Sequence, residues 1–244
     1  MALRVLLPPG ASLDALLATL RPPQLPAARP YVIANMVTSL DGTIALDGES
    51  GTIGEHAPGD RVVFRALRDA ADAVLAGTGT LAAEQYRRLI ATPQRREARV
   101  ARGLDPDALA VVLSRSGHIP EGIPMLEDPE QPRRIFTGAD ADPPGALAQL
   151  RADGIELLLC EGGPALLGDL LRRGLVDELL LTIAPVAGGG TPERTLLSGD
   201  SGVPRTFELR WLLEQGGGLH ARYAMLGPYP DPRAETTQGA LPAR

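Results

Sequence analysis

The chain has 244 residues, 44% of them hydrophobic, with a formal net charge of -6 and an isoelectric point near 5.2. The length fits one large domain, and an acidic balance without any basic stretch argues against a general nucleic-acid-binding protein. No apolar run is long enough to span a bilayer and the N-terminus lacks a signal-peptide pattern, so we expect a cytoplasmic protein.

Residue types that carry chemistry are scarce in this chain. All 24 basic residues are arginine, which excludes Schiff-base lysine chemistry and a P-loop lysine. Cys160 is the single cysteine, so it has no disulfide partner, and its place at the end of an apolar run predicts a core residue. His56, His118 and His220 show no metal-ligand spacing, so we expect no metal. The chemistry must then come from a bound cofactor, carboxylates and backbone groups.

The chain divides into three predicted parts. Residues 1–29 form an N-terminal appendage, with a short helix over 12–20 that Ser12 caps and a Pro-rich linker behind it. Residues 30–226 form the core domain. Residues 227–244 are rich in Pro, Gly, Thr and Ala, a composition that is typical of a flexible tail.

Strands and helices alternate within the core domain. Helices are predicted at 58–70, 80–88, 144–152 and 164–173, and strands at 31–37, 72–76, 109–114, 133–137, 155–160, 178–184, 206–214 and 219–225. Short apolar strands between helices are typical of a parallel sheet that is covered on both faces. The last two strands flank Gln215-Gly-Gly-Gly218, which predicts an antiparallel hairpin. We therefore expect an α/β fold with a mixed, mainly parallel sheet.

The first core strand leads into a long polar loop. Asn35, Ser39 and Asp41 stand at the end of this strand, and the loop continues through Ser50 before the next helix. Loops of this length usually serve a site or are disordered. Since enzymes with such sheets bind substrate at the ends of core strands, these four residues are candidate substrate contacts.

A glycine turn follows the second predicted strand. Gly77, Thr78, Gly79 and Thr80 connect this strand to a helix, and their backbone amides suit a pyrophosphate. An ordinary strand-to-helix turn explains the same residues, and the Rossmann pattern G-x-G-x-x-G is absent.

The third predicted strand ends in Ser114-Arg115-Ser116-Gly117. An arginine beside hydroxyl groups suits a 2′-phosphate, because guanidinium offers a fork of donors to phosphate oxygens. A solvated turn is the equal alternative. Together with the glycine turns, this strand end favours NADPH over NADH.

A second glycine turn, Glu161-Gly162-Gly163, joins the apolar run at 155–160 to a helix that begins at Pro164. Proline suits the first turn of a helix, and glycine allows the backbone to approach a ligand closely. Two glycine turns before helices in one sheet indicate a nucleotide cofactor.

Four motifs in this order resemble a known family. They are Ser39-Leu-Asp-Gly42, Leu67-Arg-x-x-x-Asp72-Ala-Val-Leu-x-Gly77-x-Gly-Thr80, Cys160-Glu-Gly-Gly-Pro164 and Asp177-Glu-Leu-x-Leu-x-x-Ala-Pro185. The chain resembles, over about residues 30–226, the C-terminal reductase domain of bifunctional riboflavin-biosynthesis proteins. This pyrimidine reductase family is similar in fold to dihydrofolate reductase, a three-layer α/β/α fold.

The resemblance implies NADPH-dependent reduction of 5-amino-6-(5-phosphoribosylamino)uracil by hydride transfer to the ribosyl C1′. Cofactor contacts are then expected from two groups of residues: the first glycine turn with the strand end at Ser114 and Arg115, and the second turn, Glu161, Gly162 and Gly163. Relatives with this fold carry a cis peptide between paired glycines, which we expect at Gly162–Gly163. Asp41 and Glu84 are the candidates for delivering a proton, and either residue alternatively positions the substrate.

The chain also departs from the family pattern. The deaminase motifs are absent, so we expect a stand-alone reductase, and Thr43 replaces a common lysine. Residues 83–89, Ala-Glu-Gln-Tyr-Arg-Arg-Leu, replace an Asp-x-Pro-x-Leu-x-x-Arg substrate stretch, although Arg87 or Arg88 is open to a phosphate contact. These changes leave two alternatives open: a reductase of a pterin, folate or other heterocycle, and a non-catalytic NADPH-binding paralogue. We expect a small-molecule substrate, no nucleic-acid or membrane partner, and a homodimer.

Overall fold

A nine-stranded mixed sheet organises the residues that the computed structural model describes, which are 2–45, 51–188, 195–197 and 204–228, with the backbone alone at 51–52. The strand order is β1-β8-β9-β7-β2-β6-β3-β4-β5. The strands are β1 (Arg4–Leu7), β2 (Tyr31–Thr38), β3 (Ala73–Gly77), β4 (Leu109–Ser114), β5 (Arg133–Thr137), β6 (Leu157–Cys160), β7 (Glu178–Ile183), β8 (Arg205–Gln215) and β9 (Gly218–Pro228).

Six neighbouring strands, from β7 through β5 in that order, pair in parallel, and β9, β8 and β1 extend the sheet antiparallel. The central β6 is buried along its whole length, as expected for a strand covered on both faces. Gly216 and Gly217 both have positive φ (60° and 85°) between β8 and β9, which is the two-residue turn that closes a hairpin. The predicted mixed, mainly parallel sheet with a C-terminal hairpin is confirmed.

Helices cover both faces of the sheet. Because successive side chains of a strand point to opposite faces, alternate residues enter two separate cores, one on each face. Along β2, Ile33 lies in the first core, and Val32 and Ala34 lie in the second core. The helices are α1 (Leu13–Ala18), α2 (Gly51–Glu55), α3 (Asp60–Ala70), α4 (Thr78–Glu84), α5 (Pro93–Val100), α6 (Pro124–Glu127), α7 (Pro143–Ala152) and α8 (Pro164–Arg172), with a 3₁₀ turn at Gly138–Ala141. The three-layer α/β/α fold is therefore confirmed.

The N-terminal segment packs onto the sheet. Ser12 Oγ accepts a hydrogen bond from the Ala15 amide, as predicted for the cap of α1. β1 pairs with β8 at the sheet edge, and Leu16 and Leu20 lie in the first core. Part of residues 1–29 therefore packs against the core domain. The predicted domain boundary at residue 30 stays a prediction. At the other end β9 reaches Pro228, two residues into the predicted tail, and 229–244 lie outside the described residues.

Trp211 does not offer a face for a dimer. The apolar terminal strands around Trp211 and Tyr223 predict one of two alternatives, a dimer face or an edge that is covered within one subunit. Trp211 is 2% exposed and belongs to the first core, whereas Tyr223 packs against the second. Coverage within the subunit explains Trp211, and the homodimer stays a prediction.

Gly59 lies where the entry to α3 meets the hairpin, and it tests this packing. A Cβ on Gly59 would overlap His220 Nε2 and would stand 3.0 Å from Leu3 Cδ2. We expect Gly59→Ala to lower the free energy of unfolding by about 1–3 kcal/mol, measured by chemical denaturation, because the core must shift. Gly145→Ala in α7 is the matched control, because no heavy atom lies within 4 Å of a Cβ at this position. There alanine should raise the free energy of unfolding by about 0.5–1 kcal/mol, since it restricts the unfolded chain more than glycine does. Equal stability of the two variants would contradict the packing described.

Candidate functional site

Two cavities meet at the carboxyl ends of the parallel strands. The larger cavity, of about 440 Å³, lies over the ends of β3, β4 and β6. The smaller one, of about 280 Å³, lies between β2, α3 and the end of α4. Thr80, Gly163 and Pro164 line both cavities, so the two form one continuous site. This is the edge where open α/β sheets bind ligands.

The larger cavity is built on the two predicted glycine turns. Gly77, Thr78, Gly79 and Thr80 line it at the start of α4, and Gly163 lines it at the start of α8. Neither helix start has a side-chain cap, so its first amides have no side-chain acceptor. Such amides attract anionic groups.

The two turns approach each other closely. A Cβ on Gly77 would stand 3.4 Å from the Gly163 amide nitrogen, and a Cβ on Gly163 would stand 2.9 Å from Thr80 Oγ1. The Gly77 amide donates to the Gly162 carbonyl at 2.8 Å. Gly162–Gly163 is a cis peptide, as predicted. Gly162 thus joins the turns and is not among the described lining residues of either cavity.

Ser114 and Arg115 line the far end of the larger cavity. Ser114 Oγ donates to the His118 carbonyl at 2.7 Å, which holds the turn after β4. Arg115 is exposed, and its Nη1 lies 3.9 Å from Asp169 Oδ2. Because Arg172 and Arg173 also bind Asp169, this carboxylate is balanced by other charges, and Arg115 can reach an anion.

Glu161 lies at the base of the smaller cavity, and two neighbours hold its carboxylate. Arg68 donates from Nε to Oε1 and from Nη2 to Oε2, both at 2.7 Å, and Tyr86 Oη donates to Oε2 at 2.6 Å. The Glu161 side chain is 2% exposed. Burial, and after it the charge of Glu161, raises the pKa of Tyr86 well above its usual value. The structure therefore places Glu161, which the resemblance implied as a cofactor contact, as a buried carboxyl group held by Arg68 and Tyr86 in the smaller cavity.

The predicted substrate and catalytic residues separate into two groups. Asn35 and Glu84 line the smaller cavity. Ser39 is buried and bonds within its own turn, where its Oγ donates to Asp41 and accepts from the Thr43 amide. Ser39 and Asp41 are not among the described residues that line the cavities, and Ser50 lies outside the described residues.

The stretch that departs from the family pattern contributes Tyr86 to the site. The sequence predicted a helix over 80–88, but α4 ends at Glu84 because Gln85 adopts a left-handed conformation (φ 47°). This turn brings Tyr86 to the smaller cavity. Arg88 binds Asp107 at 2.6 Å, so of the two arginines considered for a phosphate contact this one is engaged elsewhere.

Sequence reasoning missed further residues of the smaller cavity. Asp60, Arg61 and Phe64 line it from the first two turns of α3. An acidic residue in a first turn resembles an ordinary helix start, and only the contact with β7 distinguishes Asp60. Glu55, at the end of α2, lines the same cavity.

Cys160 lies next to the site without taking part in it. The residue is fully buried between the sheet neighbours of β6, and burial raises the pKa of its thiol to about 12. This confirms the predicted core position. In the described part of the chain no group of His, Cys, Asp and Glu residues forms a candidate metal site, and no helix there is both long and apolar enough to cross a membrane.

Comparison with known proteins gives three findings. Residues 30–220 match the family model of the RibD C-terminal domain. Two relatives, from Methanothermobacter thermautotrophicus and Archaeoglobus fulgidus, are each a 2,5-diamino-6-ribosylamino-4(3H)-pyrimidinone 5′-phosphate reductase. The first is 34% identical over 70% of this chain and 85% of its own length, and the second 29% identical over 71% and 88%. A crystal structure of a pyrimidine reductase-like protein from Corynebacterium diphtheriae superposes with a TM-score of 0.72 at 22% identity, covering 86% of this chain and 98% of that one.

Proposed function

This chain belongs to the RibD C-terminal domain family, and we propose that it is an NADPH-dependent reductase of a phosphoribosylamino-pyrimidine. The reaction would convert the ribosylamino group to a ribitylamino group by reduction at C1′. The observation that carries this proposal is the pair of cavities joined at Thr80, Gly163 and Pro164, because a cofactor and a second substrate must lie in contact for hydride transfer.

The residues of the larger cavity fit a dinucleotide. The uncapped amides at the starts of α4 and α8 would hold the diphosphate, and the absence of a Cβ at Gly77 and Gly163 lets the two turns approach each other closely. Ser114 and Arg115 would hold a 2′-phosphate. When bound, the dihydronicotinamide supplies a hydride, while the protein supplies orientation and electrostatics.

The smaller cavity would hold the pyrimidine substrate. Asn35 offers an amide to ring atoms, Phe64 an aromatic face, and Arg61 a cation for the ribose phosphate. Arg68, the other arginine on this side, is bound to Glu161. Reduction requires the open imine form of the ribosylamine, with a proton for its nitrogen. Glu84 lies on the wall of this cavity; Asp41 would reach it only if its turn moved.

The identity of the pyrimidine is tested by offering two substrates. The chain's resemblance implied the uracil, whereas the two relatives are named for a 2,5-diaminopyrimidinone. We expect NADPH oxidation, followed as loss of reduced-nicotinamide absorbance, with at least one of these phosphates, and the ratio of kcat/KM values gives the preference. Tight NADPH binding without oxidation of either phosphate would reject this function and retain a nucleotide-binding protein.

Cofactor preference is tested at Arg115. We expect Arg115→Ala to weaken NADPH binding about 10–100-fold and to leave NADH binding nearly unchanged, because a charge-assisted hydrogen bond contributes about 1.5–3 kcal/mol. Both affinities are measured by fluorescence titration. Arg210→Ala, at an exposed arginine of the edge strand β8, is the matched control. Equal loss for both dinucleotides, or no loss, would count against a 2′-phosphate contact here.

A further inference from the structure

Three polar side chains form a hydrogen-bonded chain that starts in the smaller cavity. Asp60, the first residue of α3, lines the cavity, and its Oδ1 accepts from Thr182 Oγ1 of β7 at 2.6 Å. Thr182 Oγ1 lies 3.0 Å from His220 Nδ1 of β9. Thr182 and His220 are both fully buried in the sheet. This hydrogen-bonded chain of three side chains therefore leads from the cavity into the protein interior.

The direction of these hydrogen bonds depends on the proton of Asp60. A threonine hydroxyl has one proton to donate. When Asp60 is a carboxylate, Thr182 donates to it and accepts from His220 Nδ1–H. When Asp60 carries a proton on Oδ1 in the absence of substrate, it donates to Thr182, which then donates to an unprotonated Nδ1, and the His220 proton resides on Nε2. Both arrangements keep every member of the chain bonded.

His220 suits this role because it stays neutral. Burial lowers the pKa of His220 to about 4, so the ring exchanges one tautomer for the other instead of gaining a charge. Its Nε2 has no hydrogen-bond partner among the described residues and can therefore be either protonated or bare. The charge of Glu214, on the hairpin, opposes the effect of burial on the pKa of His220.

Asp60 is a partly buried carboxyl group on the wall of this cavity. Burial raises its pKa, while the Thr182 hydrogen bond and the Arg61 charge oppose this shift. Its Oδ2 lies beside Gly54 of α2, 3.7 Å from where a Cβ would stand. Three other carboxyl groups line the cavity: Glu55 and Glu84 are exposed, and Glu161 is bound by Arg68 and Tyr86.

We propose that Asp60 is the catalytic acid that protonates the substrate nitrogen from Oδ2, the oxygen beside Gly54 of the cavity wall, and that Thr182 and His220 are positioning residues that hold its other oxygen, Oδ1. The inference rests on the proposed reductase function. Hydride addition from a bound dihydronicotinamide would form the new C–H bond at C1′, and the π electrons of the C1′=N bond would take the proton that Asp60 carries on Oδ2. The O–H bond breaks, an N–H bond forms, and the remaining carboxylate regains a proton from solvent.

Asp60→Asn is the direct kinetic test, since asparagine keeps an oxygen for Thr182 and has no acidic proton. We expect kcat to fall at least about 100-fold, with the KM for the pyrimidine within about threefold. Asp14→Asn, which changes an exposed aspartate in the first turn of α1, is the matched control and should keep wild-type kcat. Wild-type kcat in Asp60→Asn, or a loss confined to KM, would overturn the proposal.

Thr182→Val separates positioning from a merely structural role. An acid catalyst must be protonated, so kcat should fall as pH rises through the pKa of Asp60. Because the Thr182 hydrogen bond lowers that pKa, its removal should move the alkaline fall of kcat to higher pH. An unmoved pH profile would overturn the role of Thr182.

A measurement without substrate distinguishes failure of this inference from failure of the proposed function. Nitrogen NMR of the His220 ring reports which nitrogen carries the proton. As pH falls through the pKa of Asp60, which burial raises, the proton should move from Nδ1 to Nε2 in the wild type and stay in place in Asp60→Asn. If neither pyrimidine is reduced, the proposed function fails, and this measurement alone tests the hydrogen-bonded chain from Asp60 to His220. An unchanged His220 tautomer in the wild type would overturn that chain.

Discussion

Replacing Arg68 by methionine should lower the free energy of unfolding by about 3–5 kcal/mol, the usual cost of leaving a buried charge without its partner. The Glu161 side chain is 2% exposed and that of Arg68 13%, so water cannot replace the two 2.7 Å bonds between them. Arg68 also lies over the rings of Phe64, at 4.3 Å, and Tyr86, at 5.1 Å. Because Phe64, Tyr86 and Glu161 line the smaller cavity, turnover should fall together with stability. Denaturant unfolding at neutral pH measures the first effect and NADPH oxidation the second.

Two further variants isolate the buried charge as the cause. Arg95→Met on α5 removes a pair with Asp69, in which both side chains are 22% exposed, and should cost less than about 1 kcal/mol. The double variant Arg68→Met/Glu161→Met should recover much of the stability that Arg68→Met loses, because it removes the unpaired carboxylate. If the double variant is as unstable as Arg68→Met, lost packing rather than the charge explains the result.

The fold was largely predictable because its strands are short apolar runs bounded by turn residues. The predicted ranges for β4 and β5 match the observed ones, and the hairpin follows from the glycines between β8 and β9. Several short elements escaped prediction, and for β1 and α5 the physical reasons are clear. β1 is a four-residue edge strand with no buried residue, and α5 is a short, highly charged helix whose only buried residue is Arg99.

The site was predictable where its residues are neighbours in sequence. The glycine turns at Gly77 and Gly163 each combine a strand end, a flexible backbone and a helix start within a few residues. Contacts between distant residues were not visible: Asp60 and Thr182 are separated by 122 positions. The sequence favoured Asp41 and Glu84 as acids because they stand next to motifs, whereas burial, which decides whether a carboxyl group holds a proton, depends on the tertiary fold.

Gly163→Ala should lower kcat/KM at least about 100-fold, because a displacement of about 1 Å at the junction of the two cavities misaligns both ligands. Gly163 has φ -75°, which alanine also adopts, so the cause is contact and not backbone strain. The new Cβ would stand 2.9 Å from Thr80 Oγ1, closer than atoms pack, and the free energy of unfolding should fall by about 1–3 kcal/mol. In a Thr80→Ala background the oxygen is absent, and there Gly163→Ala should cost little stability. The same loss in both backgrounds would show that the two glycine turns do not pack against each other through Thr80, and the continuity of cofactor and substrate cavities would then need another basis.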